Sequence, residues 1–151
     1  MNYVMDTNIL LYYLKNGREK QFVEDTFDPF GADNTAIVSV VSIAELGVLA
    51  RRNNWGQKRL AVVQKLYRRL LIVDISSPEI VEAYIDIDTY SSGKHPTLTF
   101  QESARNMGKN DVWIAATALV ADAQLITSDK DFLHLDGVLL DVKLVERQHP
   151  Q

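Results

Sequence analysis

The chain has 151 residues, of which 46% are hydrophobic and 24% charged, and this composition is typical of one globular domain spanning residues 1–151. A net charge of −4 argues against a strongly basic coat for nucleic acid, and the absence of cysteine excludes disulfides, thiolate nucleophiles and cysteine-based zinc sites. The apolar runs are shorter than the roughly 20 residues that cross a bilayer, so we expect no membrane association and a cytoplasmic location.

Short apolar runs alternate with helical patterns along the chain. Strands are predicted at residues 2–5, 36–40, 71–75, 124–127 and 138–142, and helices at residues 9–14, 19–27, 42–52, 57–70, 78–90 and 110–123. Strands separated by helices of about ten residues predict an α/β fold, in which a mainly parallel sheet carries helices on both faces. In such folds ligands bind beyond the carboxyl ends of the strands.

Acidic residues are placed where this fold would gather them. Asp6 and Asp129 follow predicted strands, while Glu45 and Asp111 lie in the first turns of predicted helices. Two carboxylates about 5 Å apart repel by roughly 3 kcal/mol at an effective dielectric near 20, so a cluster of them requires a counter-charge. A hard divalent cation such as Mg²⁺ takes carboxylate and water oxygens and bridges to substrate phosphates. The pattern indicates metal-assisted attack of water on a phosphoryl centre.

Each acid also has a purely structural interpretation. Ser42 and Glu45 have the spacing of a capping box, in which the glutamate reaches back to the backbone of the cap residue. Asp111 suits the positive end of a helix dipole, Asp129 suits a turn, and Asp6 suits a helix N-cap. Taken singly, these interpretations compete with a functional one.

Four segments together resemble the PIN domain family, and within it the VapC-type toxins of toxin–antitoxin systems. The resemblance spans nearly the whole chain and implies a three-layer fold with about five strands. The segments are MDTNIL at residues 5–10, SIAEL at 42–46, NDVWIAA at 110–116 and TSDKDF at 127–132.

The resemblance implies both a site and an activity. Asp6, Glu45, Asp111 and Asp129 match the acidic metal-binding and catalytic quartet of the family. The implied activity is an endoribonuclease that uses Mg²⁺, or Mn²⁺ in its place, and leaves a 5′-phosphate and a 3′-hydroxyl. A VapB-like antitoxin and a homodimer are the implied partners, with tRNA among the candidate substrates.

The resemblance also supplies supporting positions. Asn8 and Ser128 match polar residues that order the site, and Asp131 matches a further acid that is sometimes functional. A structural interpretation competes for Asp131, because it can cap the short turn before Phe132.

Positive charge is concentrated in one segment. Residues 51–69 contain seven cations and no acid, which fits an RNA-contacting face, a solvated helix face or a contact with a protein partner. Lys109 and Arg105 lie nearer the acidic positions and are the candidate RNA contacts. Substrate choice is expected to depend on residues 86–107, and His95, His134 and His149 lack metal-ligand spacing and are expected at the surface.

Other functions fit less well. The segment from Asp6 to Asn8 lacks the second acid of an aspartyl phosphatase, the paired acids of a receiver domain are missing near the N-terminus, and no P-loop is present. A PIN-fold nuclease that processes RNA without being a toxin, and a catalytically silent module that binds RNA or protein, remain alternatives.

Overall fold

A computed structural model describes residues 1–100 and 102–148 of the chain. All the strand pairings in its five-stranded sheet are parallel, with the strand order β3-β2-β1-β4-β5. This confirms the predicted α/β class. The strands are β1 (Asn2–Met5), β2 (Thr35–Ser39), β3 (Leu71–Val73), β4 (Gln124–Thr127) and β5 (Asp141–Leu144).

Helices cover both faces of this sheet. They are α1 (Thr7–Lys15), α2 (Arg18–Phe27), α3 (Val40–Arg52), α4 (Gln57–Arg68), α5 (Pro78–Ser91) and α6 (Lys109–Val120), and a 3₁₀ helix spans Lys130–Leu135. Within the described residues, none of the helices has the length and apolar character needed to cross a membrane.

The position of β1 in the middle of the sheet determines where a ligand can bind. From β1 the chain proceeds to β2 and β3 on one side, and β4 and β5 lie on the other side. At such a reversal of strand order, the connections leave the central strand in opposite directions and open a crevice beyond the carboxyl ends. The first residue of that crevice is Asp6, directly after β1.

Two apolar layers hold the sheet. One contains residues of α5, α6 and the 3₁₀ helix, and the other contains residues of α1 to α4. The alanines of α6, including Ala115 and Ala116, are fully buried, as their small size predicts for a helix packed closely on the sheet. Trp113 of the same helix is partly buried, and its ring centroid lies 4.2 Å from that of Tyr84 on α5.

The predicted last strand at residues 138–142 is wrong in position. Gly137 has a φ of +74°, and the backbone N–H groups of Leu139 and Leu140 donate to the carbonyl of Leu135, so this apolar run forms a turn. The turn buries Leu140 against the core, and the strand begins only at Asp141. The apolar pattern therefore reflected a turn that packs on the core through Leu140, and not strand geometry.

Candidate functional site

Asp6 is a buried carboxylate held by two hydrogen bonds. It is 4% exposed, and its Oδ1 accepts the backbone N–H of Thr7 at 2.7 Å, which makes Asp6 the N-cap of α1. Its Oδ2 accepts the hydroxyl of Thr127, at the end of β4, also at 2.7 Å. The capping interpretation of Asp6 is therefore correct. Thr7, directly after β1, orients one of its carboxylate oxygens, and Thr127, at the end of β4, orients the other.

Glu45 is positioned from α3 through the hydroxyl of Thr7. The Thr7 Oγ1 lies 2.9 Å from Glu45 Oε1 and 2.8 Å from Ser42 Oγ. A threonine hydroxyl has one proton, so when Thr7 donates to the glutamate, Ser42 serves as donor to Thr7. The predicted capping box is wrong, because the side chain of Ser39 caps α3 by accepting the N–H of Val41. Ser42 instead lies within α3, where it is buried and its hydroxyl is hydrogen-bonded to that of Thr7.

Asp111 and Asp129 complete the acidic group from the other side. Asp111 lies half-buried in the first turn of α6. Asp129 follows β4, where its N–H donates to Thr127 Oγ1 at 3.0 Å and its Oδ1 accepts the N–H of Asp131 at 2.9 Å. Asp129 thus caps the 3₁₀ helix, and the prediction that Asp131 is the capping residue is wrong.

These four acids line a single cavity of about 480 Å³ at the carboxyl edge of the sheet. Its wall also contains Asn8 and Asn110, a set of apolar side chains from α1 and α3, and the cation of Arg52. The structure therefore brings together the acidic residues that the sequence singled out, on elements from both ends of the described chain.

The electrostatics of the cavity disfavour four ionised carboxylates. Burial, followed by the charges of Asp6, Asp129, Glu45 and Asp131, raises the pKa of Asp111 to about 7. Burial also raises the pKa of Asp6 to about 6, with smaller contributions from Glu45 and Asp129, although the hydrogen bonds from Thr127 and Thr7 act in the opposite direction. The cavity therefore favours the entry of positive charge.

The donor set fits a hard divalent cation in its chemistry. Carboxylate and amide oxygens are the ligands that Mg²⁺ and Mn²⁺ prefer, and the repulsion among the acids is what a cation would relieve. No group of three or more acidic or histidine side chains is already gathered in metal-binding geometry among the described residues. The cavity thus supplies donors and charge without a preassembled coordination shell.

Of the other predicted site residues, some line the cavity and some do not. Asn8 lines the cavity, whereas the hydroxyls that bond the acids come from Thr7 and Thr127 rather than Ser128. Lys109 and Arg105 are exposed and are not among the residues of the cavity wall. Arg105 pairs with Glu102 at 2.7 Å.

Two of the three histidines contradict the prediction of surface positions. His95 Nε2 lies 3.2 Å from Asp86 Oδ1, and its Nδ1 accepts the N–H of Leu98 at 3.0 Å. His134 Nε2 lies 2.7 Å from the hydroxyl of the buried Ser91, and burial lowers the pKa of its imidazole. His95 thus bonds within the segment that follows α5, and the ring of His134 lies against those of Tyr90 and Phe100. His149 lies outside the described residues.

The hydroxyl residues were missed by sequence reasoning, although a signal was present. Thr7, Ser42 and Thr127 each lie within three residues of a predicted acid, and all three are buried. A buried hydroxyl needs a hydrogen-bond partner, and a neighbouring carboxylate supplies one. Hydroxyl residues close in sequence to the clustered acids are thus the signal for the hydrogen bonds that support those acids.

Comparisons with known proteins agree with this architecture. The sequence model of the PIN domain matches residues 3–138. A protein named Ribonuclease VapC1 from Haemophilus influenzae (strain R2866) is 27% identical over 135 residues, which cover 87% of this chain and 90% of that protein. These matches confirm the family resemblance that the four sequence segments predict.

Solved structures show the same fold. VapBC2 from Rickettsia felis, bound to a DNA fragment from its promoter, matches with a TM-score of 0.74 and 22% identity, covering 95% of this chain and 99% of the matched chain. VapBC-1 from nontypeable Haemophilus influenzae matches with a TM-score of 0.72 and 24% identity, covering 95% and 98%. The three-layer parallel arrangement is therefore shared with both.

Proposed function

Because this chain belongs to the PIN domain family, we propose that it is a metal-dependent endoribonuclease of the VapC type. The observation that carries the proposal is the convergence of Asp6, Glu45, Asp111 and Asp129 on one cavity at the carboxyl edge of a parallel sheet. The name Ribonuclease VapC1 of a relative 27% identical supports the choice of RNA as substrate.

The proposed cofactor is Mg²⁺, with Mn²⁺ as a substitute. When bound, such an ion activates water for attack on a phosphodiester and stabilises the charge that develops on the phosphate and the leaving oxygen. Asp6, Glu45, Asp111 and Asp129 are the proposed ligands. The products are a 5′-phosphate and a 3′-hydroxyl, with tRNA as the first substrate to test.

The contribution of this chain is to orient oxygens before the substrate arrives. Thr127 and the backbone of Thr7 fix the two oxygens of Asp6, and the Thr7 hydroxyl fixes one oxygen of Glu45. Oxygens oriented in this way need little rearrangement to hold the proposed cation, which would stabilise the charge that develops at the phosphate. Asn8 and Asn110 add amide groups at the same wall, which can bond water or substrate.

A protein inhibitor and self-association complete the proposal. The matched structures from Rickettsia felis and Haemophilus influenzae are VapBC assemblies, which supports a VapB-like antitoxin for this chain. We also propose a cytoplasmic location. An arginine of the antitoxin would neutralise the acids as a metal does. Homodimerisation is tested by sedimentation at tens of micromolar, where a purely monomeric species would contradict it.

The decisive experiment is cleavage of total tRNA and of a structured control RNA by purified protein with Mg²⁺, Mn²⁺ or EDTA. We expect metal-dependent products with 5′-phosphate ends that disappear in Asp6→Asn and Asp111→Asn. Asp33→Asn, which removes an exposed acid away from the cavity, is the matched control and should cleave normally. If folded wild-type protein binds metal but cleaves neither RNA, the proposal fails in favour of a binding module.

A further inference from the structure

One face of α3 forms a wall of the acidic cavity. Its cavity-lining residues recur at helical spacing, from Val41 through Glu45 and Val48 to Arg52. Glu45 and Arg52 are seven residues apart, which corresponds to two turns and about 10 Å along the helix axis. The wall is therefore acidic at one end and cationic at the other.

Apolar side chains fill the interval between these two charges. Val48 is 47% exposed and Leu49 is half-buried, and both line the cavity, as does Leu11 from α1. An apolar surface open to a polar cavity is stabilised when a flat or apolar group covers it. A nucleobase is a group of this kind, and within an RNA strand its nucleoside is flanked by phosphates on both sides.

Arg52 favours an anionic occupant. Among the described residues, it is the one cation on the cavity wall. The ion pairs between described residues do not include it. A cationic protein segment would be attracted by the acids but repelled by Arg52, so it would suit only the acidic end of the wall. An RNA strand with one phosphate at the carboxylates can place a neighbouring phosphate on a guanidinium, whose planar fork suits phosphate oxygens.

We propose that α3 holds two successive phosphates of an RNA strand, and this inference rests on the proposed nuclease function. The phosphate to be cleaved lies at the acidic end of the wall, the neighbouring phosphate binds Arg52, and the nucleoside between them covers Val48 and Leu49. Arg52 is thus a substrate-binding residue that sets the register of the strand relative to the acids.

The test compares Arg52→Gln with Arg51→Gln, which removes the same charge one residue earlier. Arg51 lines a different groove, with Trp55 and Leu60, and so controls for the diffuse attraction of positive charge. We expect Arg52→Gln to raise KM for a short RNA containing the mapped cleavage site by on the order of tenfold, and Arg51→Gln to raise it much less. Equal effects of the two variants would overturn the inference.

A second readout does not depend on catalysis. Fluorescence anisotropy of a labelled RNA is measured in an Asp111→Asn background, with and without Arg52→Gln, for RNAs that carry one neutral methylphosphonate adjacent to the cleavage site. We expect the methylphosphonate to weaken binding at only one of the two adjacent positions, either 5′ or 3′, and Arg52→Gln to weaken the binding of that modified RNA no further. Additive losses at both positions would show that Arg52 does not contact the neighbouring phosphate.

The two proposals fail in different ways. If wild-type protein cleaves RNA but Arg52→Gln and Arg51→Gln behave alike, the nuclease stands and the two-phosphate wall is wrong. If wild-type protein neither cleaves nor binds RNA, the nuclease proposal fails and this inference fails with it. If Arg52→Gln weakens the binding of a protein inhibitor but not of RNA, the wall is a protein contact and the inference is overturned.

Discussion

The two sides of the acidic cavity are built differently. Asp6 is almost fully buried and receives hydrogen bonds at both oxygens, from Thr7 and Thr127. Asp111 is half-buried at the start of a helix, and burial, followed by the charges of Asp6, Asp129 and Glu45, raises its pKa to about 7. Hydrogen bonds thus fix Asp6 on the strand side of the cavity, whereas Asp111 on the helix side stays close to the other acids despite their mutual repulsion.

This difference bears on how the cavity would hold the cation that we propose as its cofactor. Hydrogen bonds from the hydroxyl of Thr127 and the backbone N–H of Thr7 stabilise the ionised form of Asp6 and offset part of the desolvation cost. Asp111 has less of this compensation, so its charge is the one that a cation relieves most. The following substitutions and titrations test this contrast.

The largest effect is expected from removing a charge on either side. Asp6→Asn and Asp111→Asn should each lower the rate of RNA cleavage by on the order of 10²–10³, because each removes charge that holds the cation at the phosphate. Single-turnover cleavage with saturating Mg²⁺ measures this loss. Activity retained by either variant would exclude that acid from the site.

A smaller effect is expected from the hydroxyl that orients Asp6. Thr127→Val removes the 2.7 Å bond to Asp6 Oδ2 and should weaken Mn²⁺ binding by about 10–100-fold. Thr127→Ser keeps the hydroxyl and is the matched control, which should bind nearly as well as wild type. Calorimetric titration with Mn²⁺ provides the measurement, and equal affinities of all three proteins would show that this bond does not position a ligand.

A pH dependence follows from the raised pKa values near 6 and 7 of Asp6 and Asp111. Both groups must be ionised to hold a cation, so Mn²⁺ affinity and cleavage should rise between pH 5 and pH 8. Because a cation favours the ionised forms, a higher metal concentration should shift the midpoint of the profile to lower pH. A profile that is flat over this range would contradict the electrostatic account.

The smallest effect is on the stability of the metal-free protein. The pKa of Asp111 is higher in the folded state than in the unfolded state, so the folded state keeps its proton longer as pH rises. Without metal, the free energy of unfolding should therefore fall from about pH 4 to about pH 7, and Asp111→Asn should remove part of this fall. Because solvent screens a half-buried group, Asp111→Asn should raise the free energy of unfolding at pH 8 by no more than about 1 kcal/mol.

Urea unfolding at pH 4.5 and pH 8 in EDTA measures this difference. Asp111→Asn should exceed wild type in stability at pH 8 only, and added Mn²⁺ should reverse the order by stabilising wild type. Glu79→Gln, an exposed acid on α5, is the control for general charge effects. A destabilised Asp111→Asn at pH 8 would indicate that Asp111 is held by favourable contacts and not against repulsion.

The sequence predicted the acids better than it predicted their supports. Asp6 and Asp129 could be placed because parallel strands end at one edge, so their position depends only on the strand periodicity. The partnership of Thr7 with Ser42 and Glu45 depends on how α3 packs against α1, and local patterns do not encode that packing. Helix α3 also begins at Val40, two residues before the predicted start, which moves Ser42 from a cap into the buried network.

The fold was predicted where burial and periodicity agree. Strands β1 and β4 have their predicted bounds because both are short apolar runs in the middle of the sheet. The run around Leu139 and Leu140 was mistaken for a strand because a turn that packs one leucine on the core has the same apolar composition. His134 was placed at the surface because its partner Ser91 lies 43 residues away and is invisible to local reasoning.

The hydrogen bond between Thr127 and Asp6 joins residues that are 121 positions apart in the chain. Translation produces Asp6 and Glu45 early, whereas Asp111, Thr127 and Asp129 leave the ribosome much later. A nascent chain therefore carries only one side of the cavity until β4 has been made and has paired with β1. The order of synthesis keeps the acids of the two sides apart until β4 has been made, so the assembled cavity first exists after residues 124–129 have been made and β4 has joined the sheet.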